Sequence, residues 1–546
     1  MQKNFDYIII GAGSSGCVLA NRLASNNKNT VGIFEAGASS NSWKVDMPSA
    51  LLYTMHDPKM NWKYYTESET YLNNRKLFCP RGKMIGGCSS HNGMVFVRGH
   101  PEDYNRWASY GLKNWDYANV LPYFKKLETW SEGENLYRGG SGPLKVSRSK
   151  IHKQYPLFQT VMDAAKETGF ELYEDVNGYK QNGFGPFDVT INEGIRWGAG
   201  KAYLDNVKSN KNIRIITEAY VLKILFNNKT AIGIEVKLKN KKMSFFANKE
   251  ILLSAGSINS PKILLLSGIG DAIELKKIGI DIIHDLPGVG KNLQDHLEVY
   301  IQYKSKKKET LYNLSTNYFT QAIEGIKWFL FKKGMLANSH LELGGFISSN
   351  KKYSHPNIQY HFFPSLVINH GLTNPSFDGF QLHAYPNRPK SRGFVKLRSP
   401  NSREDPIIKF NYLQEEEDLK QMRDSVNIAK KIFGQPSFIP YLGEEIRPGK
   451  NCNSDDELNE IIRNTADSAY HPSCSNKMGN DKFSVVDEKT KVHGINNLRV
   501  IDSSIMPDII SGNLNAATLM IAEKASDLIL KKQEDPIDAP YYMENK

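Results

Sequence analysis

A mixed α/β fold is predicted, in which a doubly wound, largely parallel sheet interleaves in sequence with a second domain built on an antiparallel sheet. Three observations carry this. Asp6 to Gly16 reads Asp-Tyr-Ile-Ile-Ile-Gly-Ala-Gly-Ser-Ser-Gly, an apolar strand entering a glycine turn. Alternating aromatic stretches fill the region from about 310 to 460. The chain then returns to its first style at Leu498-Arg499-Val500-Ile501-Asp502. A length of 546 residues exceeds one ordinary core and suits two domains.

Each element follows from its local pattern. Residues 6–10 are a buried strand by their apolar run, Ser14 to Ala24 a helix, and Thr30–Glu35 a second parallel strand, together a β-α-β unit. Ile213–Thr217, Ala219–Phe226 and Ala231–Val236 read as strands of a meander. Glu250–Ala255 is a further apolar strand, followed by a helical run from Ser260 to Leu266. Ile358–Phe363, Phe380–Tyr385 and Gly393–Leu397 suit an antiparallel sheet with one covered face. A helix from about Ala516 to Lys532 closes the chain, and the last dozen residues, with their acids and prolines, read as a tail. The expected division places 1–155, 196–310 and 461–546 in the parallel-sheet domain and 156–195 and 311–460 in the antiparallel one.

Composition narrows the function classes. Hydrophobic content of 40% and charged content of 23% are those of a soluble globular protein. No run of about 18 apolar residues occurs, so no membrane-spanning helix is expected. Residues 1–4 lead straight into the first strand, which leaves no room for a signal peptide and makes a cytoplasmic location the default. The five cysteines, 17, 79, 88, 452 and 474, are odd in number and none pair as C-x-x-C, so neither a disulfide framework nor a zinc site is expected. The net charge of +12 comes from Lys-rich stretches such as Lys304–Lys308 and Lys237–Lys242. These read as solvated loops, with weak attraction to an anionic membrane surface, such as the inner face of a cell membrane, as the functional alternative. Nucleic acid is not expected as a partner, because the basic stretches lack interleaved aromatics and no recognised module is present.

Gly11-x-Gly13-x-x-Gly16 follows a strand, opens a helix and precedes an acidic strand end at Glu35, which is the context of a dinucleotide site. Gly11 allows the tight turn, Gly13 lets the backbone approach a pyrophosphate, and Gly16 permits close helix–strand packing. The helix start at Ser14 and Ser15 offers N–H groups and a positive dipole end to phosphates. Glu35 suits ribose hydroxyls. This stretch leaves NAD and FAD both open. Far along the chain, Tyr470-His471-Pro472 and Ser511-Gly512-Asn513-Leu514-Asn515 supply a histidine and an asparagine that could manage the proton of an alcohol.

Residues 80–99, Pro-Arg-Gly-Lys-Met-Ile-Gly-Gly-Cys-Ser-Ser-His-Asn-Gly-Met-Val-Phe-Val-Arg-Gly, resemble a signature of the glucose-methanol-choline (GMC) family of flavin oxidoreductases. So do residues 256–270, Gly-Ser-Ile-Asn-Ser-Pro-Lys-Ile-Leu-Leu-Leu-Ser-Gly-Ile-Gly, and Gly288-Val-Gly-Lys-Asn-Leu-Gln-Asp-His296. The resemblance covers essentially the whole chain. It implies a Rossmann-like FAD-binding domain and an extended FAD. The loop of Gly86, Gly87, Ser90, His91, Asn92, Gly93 and Met94 would then lie along the isoalloxazine ring, with the Val221 backbone at the adenine. Ala36, Ala255, Gly256, Asp502 and Asn513 complete the implied cofactor-binding set.

Within the family, His340-Leu-Glu-Leu-Gly-Gly-Phe346, Pro356-Asn-Ile-Gln-Tyr-His-Phe362, Tyr470-His-Pro-Ser-Cys474, Val485-Val-Asp487 and Gly512-Asn-Leu-Asn-Ala516 are similar to stretches of bacterial choline dehydrogenases. By resemblance His471 is the general acid/base facing the flavin N5. Asn513 takes the second active-site position and donates a hydrogen bond to the substrate oxygen, while Asn515 suits a helix cap. His91 departs from the dehydrogenase pattern and resembles choline oxidase, where this histidine is bonded to the flavin 8α carbon. Covalent attachment is therefore expected here, with a packing histidine as the alternative. Glu342, with Tyr360 and Tyr470 as a loose aromatic cage, is expected to face a trimethylammonium group, with a structural salt bridge as the alternative for the glutamate.

The expected activity is FAD-dependent oxidation of choline to betaine aldehyde, with onward oxidation to glycine betaine through the hydrated aldehyde. The rivals are a GMC dehydrogenase or oxidase of a non-cationic primary alcohol, a non-redox flavin lyase or photodecarboxylase, and a non-catalytic scaffold. The expected partners are the small alcohol, an electron acceptor that the motifs do not identify, and a second copy of the chain in a homo-oligomer.

Overall fold

The computed structural model describes residues 2–25, 28–450, 452 and 454–544. Strand Asn4–Ile10 lies between Val31–Phe34 and Lys241–Leu253 and runs parallel to both. Ile213–Ile216 extends the layer beyond Val31–Phe34, and Leu498–Val500 pairs with the end of Lys241–Leu253, again in parallel. The carboxyl ends of these strands therefore share one edge, the edge where ligands bind in such sheets. The helices Ser14–Ala24 and Gly256–Leu266 start there.

Lys241–Leu253 is long enough, at 13 residues, to serve two sets of partners. Its first half closes an antiparallel meander with Ala219–Asn227 and Thr230–Leu238. Ile213–Ile216, which the sequence reading put in that meander, belongs instead to the parallel layer. Its short apolar run suits either setting, and only pairing decides between them.

The second sheet has the order Leu442–Arg447, Leu297–Ser305, Gly379–Pro386, Ile358–Phe363, Leu343–Ile347, Gly183–Pro186. Leu297–Ser305 falls in the range 196–310 that the sequence reading assigned to the parallel-sheet domain, yet it pairs antiparallel with Gly379–Pro386. Gly393–Lys396 lies outside this sheet, in a three-stranded one with Lys291–Leu293 and Ile407–Lys409. Leu297, Val299, Ile301, Tyr360, Phe362, Phe380 and Leu382 enter one buried cluster with Val426 and Phe433 of helix Glu416–Phe433. The alternate residues of the same strands face the other way, so both faces of the sheet are covered.

The chain end is docked and is not a free tail. Ile537 N–H donates to the Ala118 carbonyl at 2.9 Å, the Tyr541 hydroxyl to Glu102 at 2.5 Å and Tyr542 N–H to the Tyr179 carbonyl at 2.8 Å. Tyr541 packs edge-on against Tyr117 and His100, contacts that outweigh the polar composition of the segment. Asn545 and Lys546 lie outside the described residues. Among the described residues no helix is long and apolar enough to cross a membrane.

Candidate active site

A cavity of about 1250 Å³ runs between the carboxyl edge of the parallel layer and the inner face of the antiparallel sheet. Gly11, Gly13, Ser14, Ser15, Glu35, Ala36 and Val221 line one end, and His471 and Asn513 the other. Gly11 has φ +95°, and a Cβ there would sit 2.6 Å from the Ser254 carbonyl oxygen. A Cβ on Gly16 would sit 1.9 Å from the Gly11 oxygen, so helix and turn are in contact with no room for a side chain. At Gly13 a Cβ would meet only the Ser254 oxygen, at 3.9 Å. The backbone there is open to the cavity, as a pyrophosphate cradle requires. Glu35 accepts from Ala12 N–H at 2.9 Å and Gly37 N–H at 2.8 Å. Burial pushes its carboxyl up to about 7 against those two donors. Ala255, Gly256 and Asp502 also reach the wall. Asp502 is already engaged, accepting from Gly256 N–H at 2.8 Å and Ser260 Oγ at 2.5 Å, and so holds the start of the second helix.

The loop after Ile85 is pinned to the glycine turn by Gly86 N–H, which donates to the Ala12 carbonyl at 2.7 Å. Ser90 Oγ donates to the Ile85 carbonyl at 2.7 Å. Gly86 and Ser90 shape the loop from behind, whereas Gly87, His91, Asn92, Gly93 and Met94 face the cavity. Asn92 is fixed by Arg196, whose Nη1 donates to its side-chain oxygen at 2.9 Å. His91 is buried and its Nδ1 has no hydrogen-bond partner among the described residues. Burial, with Arg81 and Arg196 adding, pushes its pKa down to about 3, so the ring is neutral.

His471 is held by its backbone, with Asp295 Oδ1 accepting its N–H at 2.6 Å, and it follows Tyr470 at φ +65°. The hydrogen bonds around its ring fix one tautomer. His296 Nε2 lies 2.9 Å from the Asn387 carbonyl oxygen, which can only accept. His296 Nδ1 is therefore bare and accepts from His471 Nδ1 at 3.0 Å. The Nε2 of His471 is left with a lone pair, and Asn513 Nδ2 donates to it at 3.2 Å. Burial, then His296, His361 and Arg81, hold the His471 pKa well below the usual histidine value. Asn513 is oriented in turn by Gln359 Nε2, which donates to its Oδ1 at 3.3 Å. The loop carrying it is tied at Ser511, whose N–H donates to Asp103 at 2.7 Å.

The antiparallel sheet supplies the remaining wall. Glu298, Tyr300, His361, Phe363, His383 and Tyr385 all line it. Gln381 Oε1 accepts from Gln302 Nε2 at 2.7 Å and Val367 N–H at 2.9 Å, so its amide nitrogen donates to His383 Nε2 at 2.7 Å. His383 Nδ1 then carries the proton and donates to Glu298 at 3.2 Å. The Tyr300 hydroxyl bonds the same carboxylate. Glu298 is 6% exposed, and among the described residues its one ion-pair contact is this histidine. A buried carboxylate with no fixed cation beside it, opening on a cavity with tyrosine walls, is suited to a cationic ligand.

The two ends of this cavity come from the two halves that a family profile recognises separately. The GMC oxidoreductase profile matches residues 5–298, which carry the glycine turn, and residues 389–522, which carry His471 and Asn513. The chain belongs to the GMC oxidoreductase family. It is 46% identical over 538 residues to an oxygen-dependent choline dehydrogenase of Vibrio vulnificus, covering 98% of this chain and 96% of that one. It is 46% identical over 537 residues to the mitochondrial choline dehydrogenase of Homo sapiens, covering 97% and 90%. Among solved structures, a formate oxidase of Aspergillus oryzae superposes with a TM-score of 0.91 at 27% identity, over 98% of this chain and 99% of that one. A pyridoxine 4-oxidase of Mesorbium loti superposes with a TM-score of 0.88 at 27% identity, over 96% and 99%.

Three residues of this GMC oxidoreductase sit elsewhere than its sequence suggests. Tyr360 is fully buried on the opposite face of its strand, with its hydroxyl donating to the Ser425 carbonyl at 2.7 Å. Its neighbours Gln359 and His361 reach the site instead, as strand alternation demands. Asn515 does not cap its helix but accepts from Ser14 Oγ at 2.8 Å, joining the two helices beside the glycine turn. Glu342 lies outside the cavity lining, accepting from Ser339 N–H at 2.9 Å and Ser149 Oγ at 3.1 Å. It therefore stands off the cavity wall, and among the described residues it has no salt-bridge partner.

Burial raises the Glu342 carboxyl to about 7 against those two donors. A folded pKa raised above the unfolded one makes ionisation a cost that grows with pH and is complete above about 7. Glu342→Gln is expected to gain thermal stability relative to the parent protein between about pH 5 and about pH 8, with choline KM unchanged. A raised KM would put Glu342 back in the site. Glu298, which does line the wall, lies two residues after the Asp295-His296 step, and His296 sits behind the wall against His471. Strand alternation after that motif was the signal that could have exposed Glu298.

Proposed function

We propose that this GMC oxidoreductase binds FAD in the cavity and oxidises choline to betaine aldehyde. The observation that carries the reading is the unprotonated His471 Nε2, with the Asn513 amide beside it, in one cavity with the glycine turn. The open backbone at Gly13, the helix start at Ser14 and the Glu35 carboxylate suit the phosphates and ribose of the cofactor. FAD, when bound, supplies the acceptor for the hydride. The protein's own groups do the rest. His471 Nε2 takes the hydroxyl proton, which makes the carbinol carbon a competent hydride donor. Asn513 Nδ2 swings its donation toward the substrate oxygen as charge builds there. Glu298, Tyr300 and Tyr470 hold the trimethylammonium group and set the distance from cation to reacting carbon. The two choline dehydrogenase relatives support choline as the alcohol.

The test is anaerobic mixing of the holoenzyme with choline and, separately, with 3,3-dimethylbutan-1-ol, its uncharged isostere. Bleaching of the flavin band near ~450 nm by choline at far lower concentration than by the isostere is the expected result. Equal bleaching by both would remove the cationic substrate and leave a general alcohol oxidoreductase.

His91 is read as the point of covalent FAD attachment. A neutral ring with a buried, unpartnered nitrogen on the cavity wall supports this. Acid-precipitated protein is expected to stay yellow, and His91→Ala to release its flavin into the supernatant. Release from the unsubstituted protein would leave His91 as a packing residue.

A further inference from the structure

Helix Tyr318–Phe331 is turned inside out for a water-facing helix. Its two buried residues, Glu324 and Trp328, lie on the inward face with the partly covered Thr320 and Gln321. Its outward face carries Phe319 at 75% exposure, Ile326 at 58%, Leu330 at 69% and Phe331 at 64%. Monomeric soluble proteins rarely leave such a contiguous apolar surface bare. The patch extends beyond the helix, because Phe329 meets Trp43 at 5.9 Å and Trp43 meets the exposed Tyr53 at 5.6 Å.

Along the helix segment the exposed charge is positive, while in the adjoining Trp43–Tyr53 stretch Asp46 pairs with Lys201, and Lys44 with nearby Asp57. Glu324 is the only acid from residue 311 to 341, and it is buried and bonded to Lys327 at 2.6 Å. Lys332 and Lys333 follow the last turn, and the whole chain carries +12. At 14 residues the helix is roughly 21 Å long, too short to span a bilayer core of about 30 Å. An aromatic, apolar face bordered by lysines suits a helix lying in the plane of an anionic bilayer surface.

We propose that helix Tyr318–Phe331, with Trp43 and Tyr53, seats the protein on an anionic lipid surface. Gln321, Gly325 and Phe329 of the same helix line the cavity, so the seated protein opens its cavity beside the lipid. The inference does not depend on the identity of the alcohol.

The test is flotation of the holoenzyme with phosphatidylcholine vesicles, with and without about 30% phosphatidylglycerol, at low and high salt. Binding to the anionic vesicles that weakens with salt is expected. The triple variant Phe319→Ser, Leu330→Ser, Phe331→Ser, which spares every cavity-lining residue, is expected to lose binding about tenfold or more, with flavin content and turnover retained. Should the triple variant fold poorly, Leu330→Asp alone is expected to give the same direction. Absence of vesicle binding by the unsubstituted protein overturns the proposal. So does unchanged binding by the variants, or a dimer that the variants dissociate, which would make a second copy the occupant of the patch.

Discussion

Replacing His471 with alanine is expected to slow anaerobic flavin reduction by choline by about 10³-fold, with flavin content unchanged. The size of the effect follows from the hydrogen bonds around the ring. The chain from the Asn387 carbonyl through His296 commits the Nδ1 proton of His471, so Nε2 alone faces the cavity as a base. Its pKa is depressed by burial first and by neighbouring His296, His361 and Arg81, so the base is already deprotonated when substrate arrives. Hydride cannot leave an alcohol carbon readily while the hydroxyl keeps its proton, and Asn513 has no lone pair suited to take it. Stopped-flow bleaching with saturating choline measures the loss directly. A rate within about threefold of the unsubstituted protein would move the base elsewhere.

The second large effect is expected at Glu298. Glu298→Gln keeps the side-chain shape and the His383 contact but removes the charge. The loss is expected to be about 2–3 kcal/mol in choline binding, a rise of roughly 30- to 150-fold in KM. The isostere 3,3-dimethylbutan-1-ol should be bound nearly as before, since it never used the charge. Preference for choline over the isostere is therefore the quantity to measure. If the variant keeps that preference, the tyrosines alone recognise the cation and Glu298 is only a partner for His383. The small role of Glu342 in the same assay separates the two carboxylates, which differ in placement more than in burial.

The parts of this site that were legible in sequence are those whose chemistry is local. Gly11, Gly13 and Gly16 show because a strand-to-helix turn of this kind excludes side chains, and the structure places each where its spacing implies. The His-Pro step and the segment before the last helix likewise announced His471 and Asn513, which the fold brings within 3.2 Å of one another. Glu298, His361, His383 and Tyr385 were not legible, because each is one residue in an alternating strand whose inward face depends on its partners. Tyr360 shows the cost of that ambiguity, being one residue from His361 and on the far side of the sheet. Helix Tyr318–Phe331 was missed for a related reason, since its composition is that of a core helix and only its neighbours reveal which face is bare.

Family membership, the glycine turn and the His471–Asn513 pair were thus carried by short stretches of chain, where backbone geometry and side-chain chemistry act over a few residues. The Glu298 carboxylate on the cavity wall, the tautomer of His471 and the exposed apolar helix were decided only by packing. They depend on which strand edge meets which, and on where a hydrogen-bond chain ends more than 80 residues away in sequence, as it does from His296 to Asn387. No local pattern encodes such pairings, because their free energy arises only when distant segments exclude water together.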